Sequence, residues 1–247
     1  MTATVESGGW LATLAEAGTL PMRGSWLAPA GRLPDTVEVP SNVLLLRGHG
    51  RTILVDTAAG ERAGEWPGAH ADLSGVLAGA DVSPEQVDAV LLTHLDFDHC
   101  GGIVQDGVPV FPRARVLVMR DAADWASDAD DPGAEVVRTV AAAGLLDPVD
   151  PGEVAPGLTV AAAPGHRIGH STLTFGGAAY LADTVHHAEH VAHPKWDREF
   201  DGDAAAALST RLRLLDACAG RGPVACSHIA GWGRIELTPG GLRWRTL

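Results

Sequence analysis

The sequence predicts an α/β protein, an αββα sandwich of two mixed β-sheets flanked by helices. Three observations carry that expectation. Short apolar runs alternate with helical patterns along both halves of the chain. Hydrophobic residues make up 46% of the 247 residues, enough for a sizeable core. The run 87–92 reads as a buried strand and leads directly into a cluster of histidines and aspartates.

The elements follow in chain order. Residues 1–40 are read as an N-terminal extension packed on one domain spanning 1–247. Residues 42–47 and 52–55 form a hairpin that turns at Gly48-His49-Gly50. Residues 59–68 are a Gly-rich loop containing Trp66, and 73–77 a short helix. Ser83-Pro84-Glu85 starts another helix, with Ser83 as cap and Pro84 in the first turn. After the strand at 87–92 come an apolar strand at 114–119 and a helix at 135–143. Strands are expected at 158–163, 171–175 and 178–182. Leu208, Leu212 and Leu215 recur at helical spacing after Asp203, and Gly220 closes that helix. Residues 223–226 are a strand, and 235–244 fold back through Pro239-Gly240-Gly241. The likeness of 52–57 to 179–184 is a faint echo of duplication and carries no weight here.

Bulk properties narrow the function. The formal net charge is −13, from 31 acidic and 18 basic residues, which disfavours nucleic acid and anionic membranes as partners. Cys100, Cys218 and Cys226 are too few and too odd in number for a disulfide framework, so a reducing compartment, the cytoplasm, is expected. No apolar run approaches the ~20 residues of a membrane span, and no export signal is read at the N-terminus.

Residues 93–102 read Thr-His-Leu-Asp-Phe-Asp-His-Cys-Gly-Gly. An extended backbone sends His94, Asp96 and Asp98 to one side. His99 then turns inward as the chain bends at Gly101 and Gly102. Carboxylates and imidazoles converging at a strand end repel or desolvate one another unless a cation joins them. The bland reading is a solvated acidic loop with two incidental histidines.

This order resembles the His-x-His-x-Asp-His signature of the metallo-β-lactamase superfamily, with Asp96 in place of the second histidine. Further pieces resemble the family in the family's order. Ala-Pro-Gly-His-Arg-Ile-Gly-His (163–170) resembles the segment whose first histidine is a ligand, here His166. Tyr-Leu-Ala-Asp-Thr (180–184) resembles the strand that ends in a metal-bridging aspartate, here Asp183. Cys-Ser-His-Ile-Ala-Gly-Trp-Gly-Arg-Ile (226–235) resembles the turn with the last histidine, here His228. Thr-Ile-Leu-Val-Asp-Thr (52–57) resembles a strand whose aspartate, here Asp56, supports a ligand from behind.

The resemblance implies two divalent metal ions, zinc first, with manganese and iron as alternatives. One would take His94, Asp96 and His166, the other Asp98, His99 and His228, with Asp183 and a hydroxide bridging. Such a pair lowers the pKa of the bridging water and polarises a carbonyl. The implied function is hydrolysis of a small lactone or ester, as in the branch with acyl-homoserine lactonases and methyl-parathion-hydrolase-like enzymes. Asp98, Asp183 and His186 are the candidate catalytic residues. Related lactonases place a substrate-contacting tyrosine where His186 stands, so His186 is a candidate proton donor.

Two other function classes stay open. A carboxylate at Asp96 makes the first site harder and more anionic, as in the flavodiiron branch, so a non-heme di-iron or manganese oxidase is one alternative. A non-catalytic metal-binding protein with a degenerate site is the other. A nuclease is disfavoured by the acidic charge, and a glyoxalase-II-like thioesterase by the short segment after His228. His170 is read either as lying beside the metals or as fixing its loop. His190 and His193 are read as a polar face, and Trp66, Trp196 and Trp232 either as core or as a cavity mouth. Cys100 and Cys226 are read as small packed hydrophobes.

Overall fold

In the first sheet, apolar side chains point both ways from the same strand. Ile53 and Val55 face one cluster, while Leu54 faces another. A strand buried on both faces reads as a continuous apolar run rather than an alternation, which is why 52–55 and 87–92 stand out in the sequence. The computed structural model describes residues 2–196 and 199–247. Among these, an eight-stranded sheet and a seven-stranded sheet stack face to face.

The first sheet runs in the order Thr2–Ser7, Trp10–Arg23, Thr36–Gly48, Arg51–Val55, Ala89–Leu92, Arg115–Met119, Leu146–Val149, and His70–Ala71 adds to Trp10–Arg23. The second runs Gly152–Ala155, Leu158–Ala162, Ser171–Phe175, Ala178–Tyr180, Val224–Ala225, Gly233–Thr238, Gly241–Thr246. Trp10, Leu14, Leu44, Leu46, Ile53 and Leu91 of the first sheet meet Leu158, Val160, Leu173, Phe175 and Tyr180 of the second. Leu73 and Leu77, with Val136, Val137 and Val140, cover the outer face of the first sheet. Leu214 and Leu215 of the helix Ala204–Cys218 cover the outer face of the second. These four layers are the αββα sandwich.

Parallel pairing sets the position of the site. Arg51–Val55, Ala89–Leu92 and Arg115–Met119 are parallel in one sheet, and Ala178–Tyr180 and Val224–Ala225 in the other. In open α/β sheets ligands bind beyond the carboxyl ends of such strands. Asp56, His94, Asp183 and His228 all follow those ends. Backbone hydrogen bonds from Ser171 to Thr93 and from Asn42 to Ser227 tie the two sheets together at that edge.

Several elements differ from expectation. Residues 2–23 enter the first sheet as strands Thr2–Ser7 and Trp10–Arg23. Gly60–Glu65 is a 3-10 helix inside the expected loop. Pro84–Gln86 is a single 3-10 turn with a Ser83/Gln86 capping box, not the start of a longer helix. The helix Ala204–Cys218 turns Ala207, Thr210, Arg211, Leu214 and Leu215 inward, whereas Leu212 is 41% exposed. Leu208 and Leu212 therefore do not mark its buried face. Cys100 and Cys226 are buried, and burial pushes both thiols up. No helix among the described residues is long and apolar enough to cross a membrane.

Candidate metal centre

The helical turn Phe97–Cys100 begins directly after Asp96, so Asp98 and His99 lie in its first turn. The expected extended alternation ends at Asp96; it is the helical turn that points Asp98 and His99 into the site. Asp56 adopts φ +60°, a left-handed conformation that aspartate tolerates better than most residues. Its fully buried carboxylate accepts from the backbone N–H and the hydroxyl of Thr93, at 2.8 and 2.9 Å. The same carboxylate lies 2.9 Å from Nδ1 of His99.

Each site histidine is held by Nδ1, which turns Nε2 toward a common centre. His99 leans on Asp56, and His228 on the carbonyl of Pro40 at 2.8 Å. His166 leans on Asp201 at 3.1 Å, and His94 on the hydroxyl of Thr93 at 3.1 Å. Asn42 donates to the carbonyls of Cys226 and Ile229 and so fixes the turn bearing His228. Gly165 (φ +123°) lets the His166 loop approach the helix Ala204–Cys218, where a Cβ would meet the Ala207 nitrogen at 2.0 Å.

Asp183 stands between two donor groups. Its Oδ2 is 3.9 Å from His94 Nε2, 3.5 Å from His166 Nε2, 3.2 Å from His228 Nε2 and 3.1 Å from His186 Nε2. Its Oδ1 is 3.3 Å from His99 Nε2. Asp96 Oδ2 lies 3.7 Å from His94 Nε2 and 3.6 Å from His166 Nε2. Asp98 Oδ2 lies 3.4 Å from Nε2 of both His99 and His228. Donors sharing one tetrahedral zinc stand about 3.4 Å apart, given metal–donor distances of ~2.1 Å. Four groups place their ligand atoms within 4.8 Å of one another: His94-Asp96-His166, Asp98-His99-His228, and two that contain Asp183, one with His94 and His99 and one with His166 and His186.

The residues fit divalent cations on a second observation. Nε2 of His94, His99 and His166 is buried without a hydrogen-bond partner. Buried polar atoms are normally paired, and each orphan costs about 1–3 kcal/mol. Three orphans aimed at one place, beside carboxylates, match what a metal would satisfy.

The electrostatics agree. Burial alone would raise the Asp183 carboxyl, but His99, His228 and His186 hold it well below the usual carboxylate range. Burial would lower His99, yet Asp183, Asp98 and Asp56 hold it well above the usual imidazole range. His170 moves the other way: burial, then His94 and His166, keep it well below that range. It donates through Nδ1 to the Ala163 carbonyl and accepts from the Asp183 backbone N–H. His170 thus fixes its loop and the backbone of Asp183.

His186 is buried, stacks on His228 and Phe200, and lines a cavity of about 390 Å³ above Asp96, Asp98, His166 and Asp183. The apolar wall of the cavity is Leu20, Met22, Trp66, Leu95, Phe97 and Phe200. Trp66 stacks on Phe97 at its mouth, whereas Trp232 is core and Trp196 stacks on His193 without lining the cavity. His190 is buried, bonded to the Leu27 carbonyl, and His193 is exposed.

Three charged residues were not singled out from sequence. Arg167 donates to Asp96. Asp201 receives both His166 and Arg211. Arg211 also donates to the carbonyls of Thr184 and Pro194, joining the loops that carry Asp183 and Asp201. The only hints were an arginine inside the Pro-Gly-His segment and an arginine on an otherwise apolar helix face.

An αββα sandwich with His and Asp donors at its strand ends defines a metal-site class of protein. The chain belongs to the metallo-β-lactamase superfamily, whose profile matches residues 36–219. No curated protein matches it in sequence. It is similar in structure to AidC, a dizinc quorum-quenching lactonase solved with the product N-hexanoyl-L-homoserine: 20% identity, TM-score 0.88, covering 100% of this chain and 97% of that one. The hydrolase AbOPH shares 24% identity at TM-score 0.87, with the same coverage. A B. thuringiensis AiiA variant with N-decanoyl-L-homoserine at its active site shares 21% at TM-score 0.69, covering 86% and 89%.

Proposed function

We propose that this protein is a binuclear metal-dependent hydrolase of a small lactone or ester. The carrying observation is the pair of donor trios that meet at Asp183 on the floor of an apolar-walled cavity. His94, Asp96 and His166 would hold one divalent ion, and Asp98, His99 and His228 the other. Bound there, the ions supply an activated water as nucleophile and a Lewis acid for the carbonyl.

The chain's own residues do the rest. The aromatic wall of Trp66, Phe97 and Phe200 shelters an acyl group and keeps bulk water from the floor. His186 faces that floor from the cavity side and assists the departing alkoxide with a proton at Nε2. Asp56, Asp201, His170 and the Pro40 carbonyl hold the donors in place through the reaction. Acyl-homoserine lactones are the first substrates to test, because AidC and AiiA hold acyl-homoserines.

A second reading, a di-iron or manganese oxidase, is favoured by one observation: the Asp96 carboxylate in the first trio. An anaerobic screen of lactones, aryl esters and organophosphates on metal-replete protein separates the two. Hydrolysis without oxygen, lost on chelation and restored by zinc or manganese, is expected. No hydrolysis, with oxygen consumption by the iron form, would replace the hydrolase reading with the oxidase. Metal uptake without either reaction would leave a non-catalytic metal-binding protein.

A further inference from the structure

We infer that Arg167 and Asp96 work as one unit. Arg167 is a positioning residue that turns a single oxygen of Asp96 toward the first metal and returns the charge that a carboxylate in place of a histidine takes away. The inference rests on the metal reading above and adds to it.

Geometry divides the two Asp96 oxygens. Arg167 Nε donates to Oδ1 at 2.7 Å. Oδ2 is left facing Nε2 of His94 and His166, at 3.7 and 3.6 Å. The Asp96 side chain is 27% exposed, the most accessible of the candidate donors, and an exposed carboxylate would otherwise rotate or bind through both oxygens. Arg167 is itself held, since Nη1 donates to the carbonyls of His166 (2.9 Å) and Phe200. It directly follows His166 in sequence, so one loop delivers both a donor and the clamp on a second donor.

Charge supplies the second half. Three carboxylates, Asp96, Asp98 and Asp183, face the centre where the pattern it resembles has two. That makes a loaded site one charge less positive and a weaker Lewis acid. A guanidinium remains cationic throughout the accessible pH range. Placed against Asp96, it returns the lost charge without occupying the donor oxygen.

The test uses the full chain and reads metal binding, not activity. Zinc and manganese affinities are measured by chelator competition for wild type, Arg167→Gln, Arg167→Lys and the double variant Asp96→His/Arg167→Gln, with circular dichroism as the check on folding. Wild type is expected to hold two ions per chain. Arg167→Gln should weaken the looser ion about 10–100-fold and spare the tighter one. Arg167→Lys, which keeps the charge and loses the fork, should fall between the two. The double variant, with a neutral imidazole and no cation, should regain most of the loss and favour zinc over manganese. Wild-type affinity in Arg167→Gln or in Arg167→Lys overturns the inference. So does a double variant as weak as Arg167→Gln, because an arginine serving only the His166 and Phe200 carbonyls would give that result. Fewer than two ions in wild type overturns the underlying site reading, and the inference with it.

Discussion

The two donor trios differ in how firmly the protein holds them. Asp98, His99 and His228 are all buried, and their supports come from the strand-end framework: Asp56, the Pro40 carbonyl and the Ser41 hydroxyl, which donates to the Asp98 carbonyl. In the other trio His94 and His166 are buried as well, and Asp96 is the accessible member. Their supports are loop residues, Arg167 and Asp201, together with the Thr93 hydroxyl. A loop-held trio can be adjusted by changing loops, and the unusual donor, Asp96, sits there. The cavity under Trp66 and Phe200 is lined by Asp96 and His166 from this trio and by Asp98 and His228 from the other. On the metal reading proposed above, the contrast predicts one tight ion and one looser ion, and variants can break or sharpen it.

The largest effect should come from Asp183, the residue common to both halves. Asp183→Asn removes charge from the point between the trios. Occupancy of both ions should fall together, and turnover should drop on the order of 10³-fold, roughly 4 kcal/mol of barrier. Elemental analysis alongside lactone hydrolysis checks this. Unchanged metal content and rate would place Asp183 outside the centre.

Next come single-trio losses, where the two halves should part. Asp96→Ala should lose one ion and keep the other, with a rate loss of roughly 10²-fold or more. His228→Ala should instead weaken the tight ion, and with it the fold. A buried carboxylate such as Asp98 would lose a partner, costing about 3 kcal/mol or more. Equal loss of both ions in the two variants would mean that the trios are one undivided site.

His186→Phe should separate binding from chemistry. Phenylalanine keeps the stack with Phe200 and His228. The rate should fall about 10²-fold, the range for losing a general acid, with two ions still bound. Loss of an ion in step with the rate would make His186 a ligand, the role its place with His166 and Asp183 also permits.

What could be read from sequence divides along the same line. The candidate donors His94, Asp96, Asp98, His99, His166, Asp183 and His228 lie in short motifs beside strand ends, and strands buried on both faces announce themselves as apolar runs. The structure brings those seven together. Their loop supports were not legible, because Arg167 meets Asp96 across 71 positions and Asp201 meets His166 across 35. The strand Trp10–Arg23 is not legible in its Leu-Ala-Thr-Leu-Ala-Glu-Ala stretch, which is rich in helix formers, and tertiary pairing overrides that preference. The buried face of the helix Ala204–Cys218 is not legible from Leu208, Leu212 and Leu215 alone, because Arg211, a charged residue, sits on it. Its cost of burial is met by the carbonyls of Thr184 and Pro194 and by Asp201.

The smallest effect should come from Asp201→Asn. Asparagine keeps the shape and can still accept from His166 Nδ1 through its amide oxygen. It loses the charge that raises the basicity of His166 and pairs with the buried Arg211, whose Nη2 lies 3.0 Å from Asp201 Oδ2. Arg211 keeps its bonds to the carbonyls of Thr184 and Pro194, so the fold should survive with a stability loss of about 1–3 kcal/mol. The looser ion should dissociate roughly 10-fold more readily, the lower end for losing support behind a ligand histidine. The tight ion, held through Asp56 and Pro40, should not respond. Chelator competition with thermal unfolding on the same samples reads both effects. A matching loss at both ions would show that the two halves share their supports, and the division between framework and loop would fall.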